Sequence, residues 1–271
     1  MIICIVIYNI RTYENIKIMN IFILIISLFS ILSAFSAIYC DICSEIIKEK
    51  YFEDAWGNRY HSSHNENAIF CDTCSRIVST RITGGGFQFN DGRYMCKLCE
   101  ASMVNTNKLK LESLNTVLEL LSKKGINVKT NAIKINLVNR KTLQNSVMSL
   151  TKHDSETIKA VTIFDHHKYI INILWGLNQL EFESALAHEL LHVWIDFNNI
   201  KLNVGKLEGF CNLGSSLVYS NYNSQLSKLL LNSMEKNNDP IYGRGYRYMN
   251  SLLQAHGWEE LISILLKNNQ N

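Results

Sequence analysis

Proline is nearly missing from this chain: Pro240 is the one proline in 271 residues. With only thirteen glycines beside it, collagen-like repeats and Pro-rich linkers are excluded. A strong excess of one charge is missing too. A scattered net charge of +3 gives no basic footprint, so nucleic acid is not the expected partner. What is present, 47% hydrophobic and 19% charged residues, fits a globular protein behind an apolar leader. The length suffices for one sizeable domain and a small one.

The leader comes first. Ile21 to Ala37 is nearly all apolar, is preceded by Lys17, and ends in Ser33-Ala34-Phe35-Ser36-Ala37. This is the pattern of a secretory signal peptide over residues 1–37, cleaved near Ser36 or Ala37, with Met19 as an alternative start. Secretion is the expectation. The rival is an uncleaved anchor, the only case in which the chain would meet a membrane, and for a span the run is short. Tyr39 before Cys40 is too bulky for a lipid-attachment site.

Eight cysteines occur, six of them in couples: Cys40 and Cys43, Cys71 and Cys74, Cys96 and Cys99. His61 and His64 form a fourth couple with the same spacing. Eight ligands in four couples suit two closed tetrahedral zinc sites. Taken in order, Cys40, Cys43, His61 and His64 hold one ion and Cys71, Cys74, Cys96 and Cys99 the other. The alternative is a disulfide framework, common in secreted chains, but it leaves the histidines without a role. Hairpins would carry the clips, one turning at Gly57-Asn58 and one at Asp91-Gly92. So small a segment, residues 38–103, would draw much of its folding free energy from the metal. Its spacing resembles a LIM domain, a paired zinc module used for protein contacts. It departs from that pattern at His64, where cysteine is usual, and in the long interval Asn65 to Phe70. The resemblance implies a module that holds partners or substrates, or packs as a scaffold on the downstream domain.

Residues 104–271 read differently. Leu111, Leu114, Val117, Leu118 and Leu121 recur at helical spacing before Gly125. Three strand candidates come next, Ile133 to Val138, Ala160 to Phe164 and Tyr169 to Leu174, and then mostly helix with a break around Asn237 to Gly245. A few strands before several helices predict an α+β domain, mainly helical with a short β-sheet. A peptide could add as a strand along Tyr169 to Leu174 if that strand edges a cleft.

The chemistry concentrates in Ala187-His188-Glu189-Leu190-Leu191-His192-Val193-Trp194. On a helix, His188 and His192 share one face and can grip one metal ion, with Glu189 in reach of a bound water. Glu208 lies beyond His192 with fifteen residues between them. Two imidazoles and this carboxylate leave the fourth tetrahedral position open, as a catalytic zinc requires. An oxyanion donor is also needed, and Tyr242 and Tyr246 are the candidates. His256 reads as a helix end before Gly257, His166-His167 as a strand end, Cys211 as a small buried apolar residue, and Cys4 belongs to the leader.

The stretches Ile173 to Leu180, Glu183 to Trp194, and Leu207-Glu208-Gly209-Phe210-Cys211 resemble the DA-one LIM-peptidase family, as does Asn90-Asp91-Gly92-Arg93-Tyr94-Met95-Cys96 upstream. The resemblance covers most of residues 40–215 and implies a gluzincin-type zinc endopeptidase. His188, His192 and Glu208 would bind the catalytic zinc and Glu189 would be the acid/base; two structural zincs would fill the LIM-like module. Plant members also carry ubiquitin-interacting helices. This chain has its leader in their place, so ubiquitin-linked regulation is not carried over. The expected partner is a protein or peptide substrate, with a further protein partner through the module. The rival is a catalytically silent protein-binding adaptor.

Overall fold

A computed structural model describes residues 37–151, 158–165 and 168–267, with the side chains of 148–151 left out. The expected leader up to Ser36, and His166-His167, lie outside the described residues. The architecture is mixed helix and sheet, compatible with the α+β expectation. Among the described residues, β1 (Tyr51–Glu53) pairs with β2 (Arg59–His61), and a 3-10 turn (Ser62–Asn65) and helix α1 (Thr80–Thr83) come after them. Next, β3 (Gly86–Gln88) pairs with β4 (Tyr94–Cys96), which runs into α2 (Lys97–Glu100). The longer elements are α3 (Asn107–Ser122), β5 (Ile133–Val138), α4 (Arg140–Thr151), β6 (Ala160–Asp165), β7 (Lys168–Leu174), α5 (Gln179–Phe197), α6 (Val204–Asn221), α7 (Gln225–Lys236) and α8 (Tyr242–Lys267). No helix of the described residues is long and apolar enough to cross a membrane.

The cysteine-rich segment is one device used twice. In Tyr39-Cys40-Asp41-Ile42-Cys43-Ser44 and in Phe70-Cys71-Asp72-Thr73-Cys74-Ser75, the first cysteine's carbonyl accepts a 2.8 Å bond from the serine N–H. Each serine sits in the left-handed region, at φ 67° and 58°. Each aspartate carboxylate accepts a 2.6 Å bond from the first residue of a strand, Arg59 of β2 or Tyr94 of β4. Two residues further along those strands stand His61 and Cys96. Backbone bonding therefore delivers the second couple of ligands to the first in both halves, in the sequential order expected.

Strand order in the three-stranded sheet is β5-β7-β6, with β5 parallel and β6 antiparallel to β7. This corrects one expectation. Tyr169 to Leu174 lies in the central strand, its backbone groups used on both sides, so a peptide cannot add there. Its side chains alternate between two covered faces, which explains a nearly continuous apolar run. Toward α5, Tyr169 donates its hydroxyl to Asp196 (2.9 Å). Toward α4, Asn172 donates its amide to Ser146 Oγ (3.2 Å). Helix α4 is an element the periodicity did not announce. Among the described side chains of α4, the buried apolar ones are Leu143 and Val147, a single turn apart, in a segment that opens on Arg140-Lys141-Thr142.

Helix α5 starts at Asn178, whose side chain accepts from the Glu181 N–H (2.9 Å). Thirteen of its 19 residues are buried, which marks a helix at the centre of the core rather than on its surface. The sheet covers it on one side and α6 on another. Gly214 makes the α6 contact close: a Cβ there would stand 2.9 Å from the Ala187 carbonyl oxygen. Helix α6 in turn crosses α8 at glycines, where a Cβ on Gly209 would meet the Gly245 carbonyl oxygen at 2.2 Å. Helix α8 is interrupted at Gly257 (φ +75°), directly after His256, the expected helix end.

Candidate metal centre

His188 and His192 project from successive turns of α5, and Glu208 from the second turn of α6. Their donor atoms form a small triangle: 3.1 Å between the two Nε2 atoms, and 3.2 and 3.7 Å from these to Glu208 Oε2. Zinc bonds of about 2.0–2.1 Å at tetrahedral angles require about 3.3 Å between ligand atoms. The triangle has the size of one tetrahedral face. The three side chains are recessed but not sealed, each 15% exposed.

Hydrogen bonds set the ring of His188. Its Nδ1 lies 3.0 Å from Asn212 Oδ1, while Asn212 Nδ2 donates to the Tyr242 carbonyl (3.3 Å). That second bond fixes which way the amide points, so Nδ1 carries the proton and the Nε2 lone pair faces the triangle. Burial disfavours the imidazolium, but Glu208, Glu189 and Asn212 outweigh it and raise the His188 pKa. Burial also opposes ionisation of Glu208; the two imidazoles outweigh it and hold the carboxyl well below the usual range.

Glu189, 6% exposed, turns toward the sheet, where Thr162 of β6 donates its hydroxyl to Oε2 at 2.6 Å. Sequence reasoning missed both supporting residues. Asn212 was within reach of it, standing one turn after Glu208 on the same face. Thr162 was not, since only the strand order brings it to α5.

The tyrosines separate. Tyr242 has a half-exposed side chain whose pKa is pushed up to about 12, by burial first and then by the charges of Glu208, Asp239 and Glu189. Tyr246 is 2% exposed and packed in the core. That burial removes it as an oxyanion donor. Cys211 is fully buried, as expected of a small apolar residue, but its sulfur also lies within 4.8 Å of a nitrogen on each imidazole. Burial, with Glu208 and Glu189 nearby, raises its pKa well above the ordinary thiol range. Either group could complete the donor set with the two imidazoles; the Glu208 carboxylate oxygen lies 3.2 and 3.7 Å from the two Nε2 atoms and is already charged, whereas the Cys211 thiol is neutral.

The other two sets also have the size of metal sites. Cys71, Cys74, Cys96 and Cys99 converge, and the 3.8 Å between Cys74 Sγ and Cys96 Sγ matches the roughly 3.8 Å edge of a zinc–thiolate tetrahedron. It is far longer than a disulfide bond of about 2.05 Å, and all seven described cysteines are unpaired. Bonds from Cys74, Cys96 and Cys99 hold the Cys71 sulfur well below the usual thiol pKa. Cys40, Cys43, His61 and His64 form the second set, with Cys43 Sγ 3.5 Å from His61 Nδ1. Burial pushes the Cys40 thiol up, but backbone N–H groups of Cys43, His61 and Ile42 outweigh it and bring it down to about 6. The four-cysteine and Cys2His2 clusters could each hold a zinc ion. Comparison with family models, with curated proteins and with solved structures finds no match to this chain.

Proposed function

We propose that the chain is a zinc-dependent endopeptidase of gluzincin type, with residues 38–103 as a LIM-like double-zinc module and 104–271 as the peptidase. The observation that carries this is the triangle of His188, His192 and Glu208, with Glu189 on the same helix. Its size fits a zinc ion, and its partial exposure leaves room for a fourth ligand. A zinc bound there supplies an acidified water and polarises the scissile carbonyl.

The protein's own groups do the rest. His188 and His192 give lone pairs and Glu208 gives negative charge, while Asn212 keeps the His188 proton on Nδ1. Glu189 accepts a proton from the attacking water as the new C–O bond forms, then returns it to the amine nitrogen as the C–N bond breaks. Thr162 holds one carboxylate oxygen of Glu189 and leaves the other for the proton. Tyr242 is the phenol that donates to the oxyanion. An extended peptide would lie along β6, the edge strand that carries Thr162, in place of β7. Secretion through the leader is part of the proposal.

Glu189→Gln tests it. The variant should keep the wild-type metal content and lose cleavage of casein or a peptide library by at least about 100-fold. Equal cleavage by both proteins would remove Glu189 from the mechanism. Absence of cleavage by either would favour the adaptor reading.

A further inference from the structure

The four-cysteine cluster is not set apart from α5. Two segments that it ties together both rest on Trp175-Gly176-Leu177-Asn178, the turn from which α5 starts. The first segment is the β3–β4 hairpin, whose last residue is the ligand Cys96. From it, Phe89 meets Trp175 edge to face, with ring centroids 5.6 Å apart. Arg93 lies over the Phe89 ring, is held by Asp91, and donates from Nη2 to the Trp175 carbonyl (2.9 Å). The second segment comes directly after the ligand Cys99. Met103 bridges Asn178, Val104 donates to the Leu177 carbonyl (3.0 Å), and Gln179 donates back to the Ser102 carbonyl (2.7 Å).

Gly176 fixes how closely these pieces sit. Its φ is +85°, and a Cβ there would stand 2.7 Å from Phe89 Cζ. The bond from Gln179 fills a carbonyl of the cysteine-rich segment with the first helical residue of α5. Asn178, which bridges Met103, is also the cap of that helix. His188 and His192 lie further along the same rigid element.

We propose that the Cys71–Cys74–Cys96–Cys99 cluster, when it holds its ion, seats the first turn of α5 through Phe89, Arg93 and the Ser102–Val104 segment. Through that seat it sets the affinity of His188, His192 and Glu208 for their own ion. This rests on the proposed function only in taking those three residues as a metal set. Four thiolates around one ion lock Cys96 and Cys99 to the knuckle at Cys71 and Cys74, and with them the two segments that press on the turn. Without that tie, a hairpin and a short extended segment with a small core of their own have little to hold them. The first turn of α5 would then be free to fray, and the spacing of the donor triangle would loosen with it. Phe89 and Arg93 are thus positioning residues, remote from the reacting atoms.

The test is competitive zinc titration of the full chain against a chromophoric chelator of known affinity. Wild type, Phe89→Ala and Arg93→Gln are compared, with His188→Ala marking which binding step belongs to the α5–α6 site. The proposal expects both seat variants to weaken that step about tenfold or more, while the two ions of the cysteine-rich segment stay tight. Unchanged affinity at that step in both variants overturns it. If Phe89→Ala releases the ions of the segment itself, Arg93→Gln, whose side chain touches no ligand, decides alone. The readout is affinity, so the two ideas fail separately. Weakened binding in a chain that cleaves nothing sustains the seat and removes the peptidase. Unchanged binding in a chain that cleaves does the reverse.

Discussion

At the scale of single residues, the donor set depends on two hydrogen bonds made by the side-chain amide of Asn212. One holds the His188 proton and the other holds Asn212 itself against the Tyr242 carbonyl. Asn212→Ala is expected to lower zinc affinity at His188, His192 and Glu208 by about 10–100-fold, measured by chelator competition, with the other two ions unaffected. If Glu208 is the third ligand as proposed, Cys211→Ser leaves all three affinities unchanged; a lost ion would make Cys211 the ligand. The convergence of His188, His192 and Glu208 was legible in the sequence, since spacing of four on a helix and a carboxylate one helix later are local facts. Tyr242 and Tyr246 were not separable, because burial in the α8 crossing decides between them and neighbours in sequence carry no mark of it. Thr162 was illegible for a related reason: its partner depends on which strand stands next to α5.

Elements add a constraint of their own. Helices α6 and α8 touch backbone to backbone where Gly209 meets Gly245, and Glu208 is the residue just before that contact. Gly209→Ala must push the helices apart or strain both. The expected cost is about 1–3 kcal/mol in chemical unfolding, together with weaker metal binding, since Glu208 moves with α6. A substitution that weakens stability but leaves metal affinity intact would show that α6 can shift without moving its carboxylate. Strand positions were read correctly because β-branched runs are distinct. Strand order leaves no such mark, so the condition for a peptide to add along Tyr169 to Leu174, that this strand edge a cleft, could be judged only from the fold, where it is not met. Helix α4 escaped because Leu143 and Val147 make too short a stripe to reveal a period. The doubled knuckle, Tyr39-Cys40-Asp41 against Phe70-Cys71-Asp72, was open to view. What hid the repeat of the whole halves is that histidines complete one and cysteines the other, which share a role and not a residue type.

For the whole molecule, the two clusters of the cysteine-rich segment should part with metal in a fixed order. Cys43 is exposed and His61 and His64 are partly so, whereas Cys71, Cys74, Cys96 and Cys99 are all buried. Under limiting chelator, native mass spectrometry should record first loss from the Cys2His2 cluster, and a Cys43→Ala chain should lack that early step. The more buried cluster should go last, and α5 should lose its seat with it. On the proposal above, the segment acts as a scaffold for the helices. The couples of ligands alone could not reveal this, since the contacts run from Phe89 and Arg93 to a turn far along the chain, 82 residues on from Arg93. The most direct measurement for the account is the metal count of the intact chain beside that of His192→Ala, by native mass spectrometry with elemental analysis. Three zinc ions are expected in the wild type and two in the variant, with the four-cysteine and Cys2His2 sites still filled; an equal count in both would contradict a metal site at His188, His192 and Glu208.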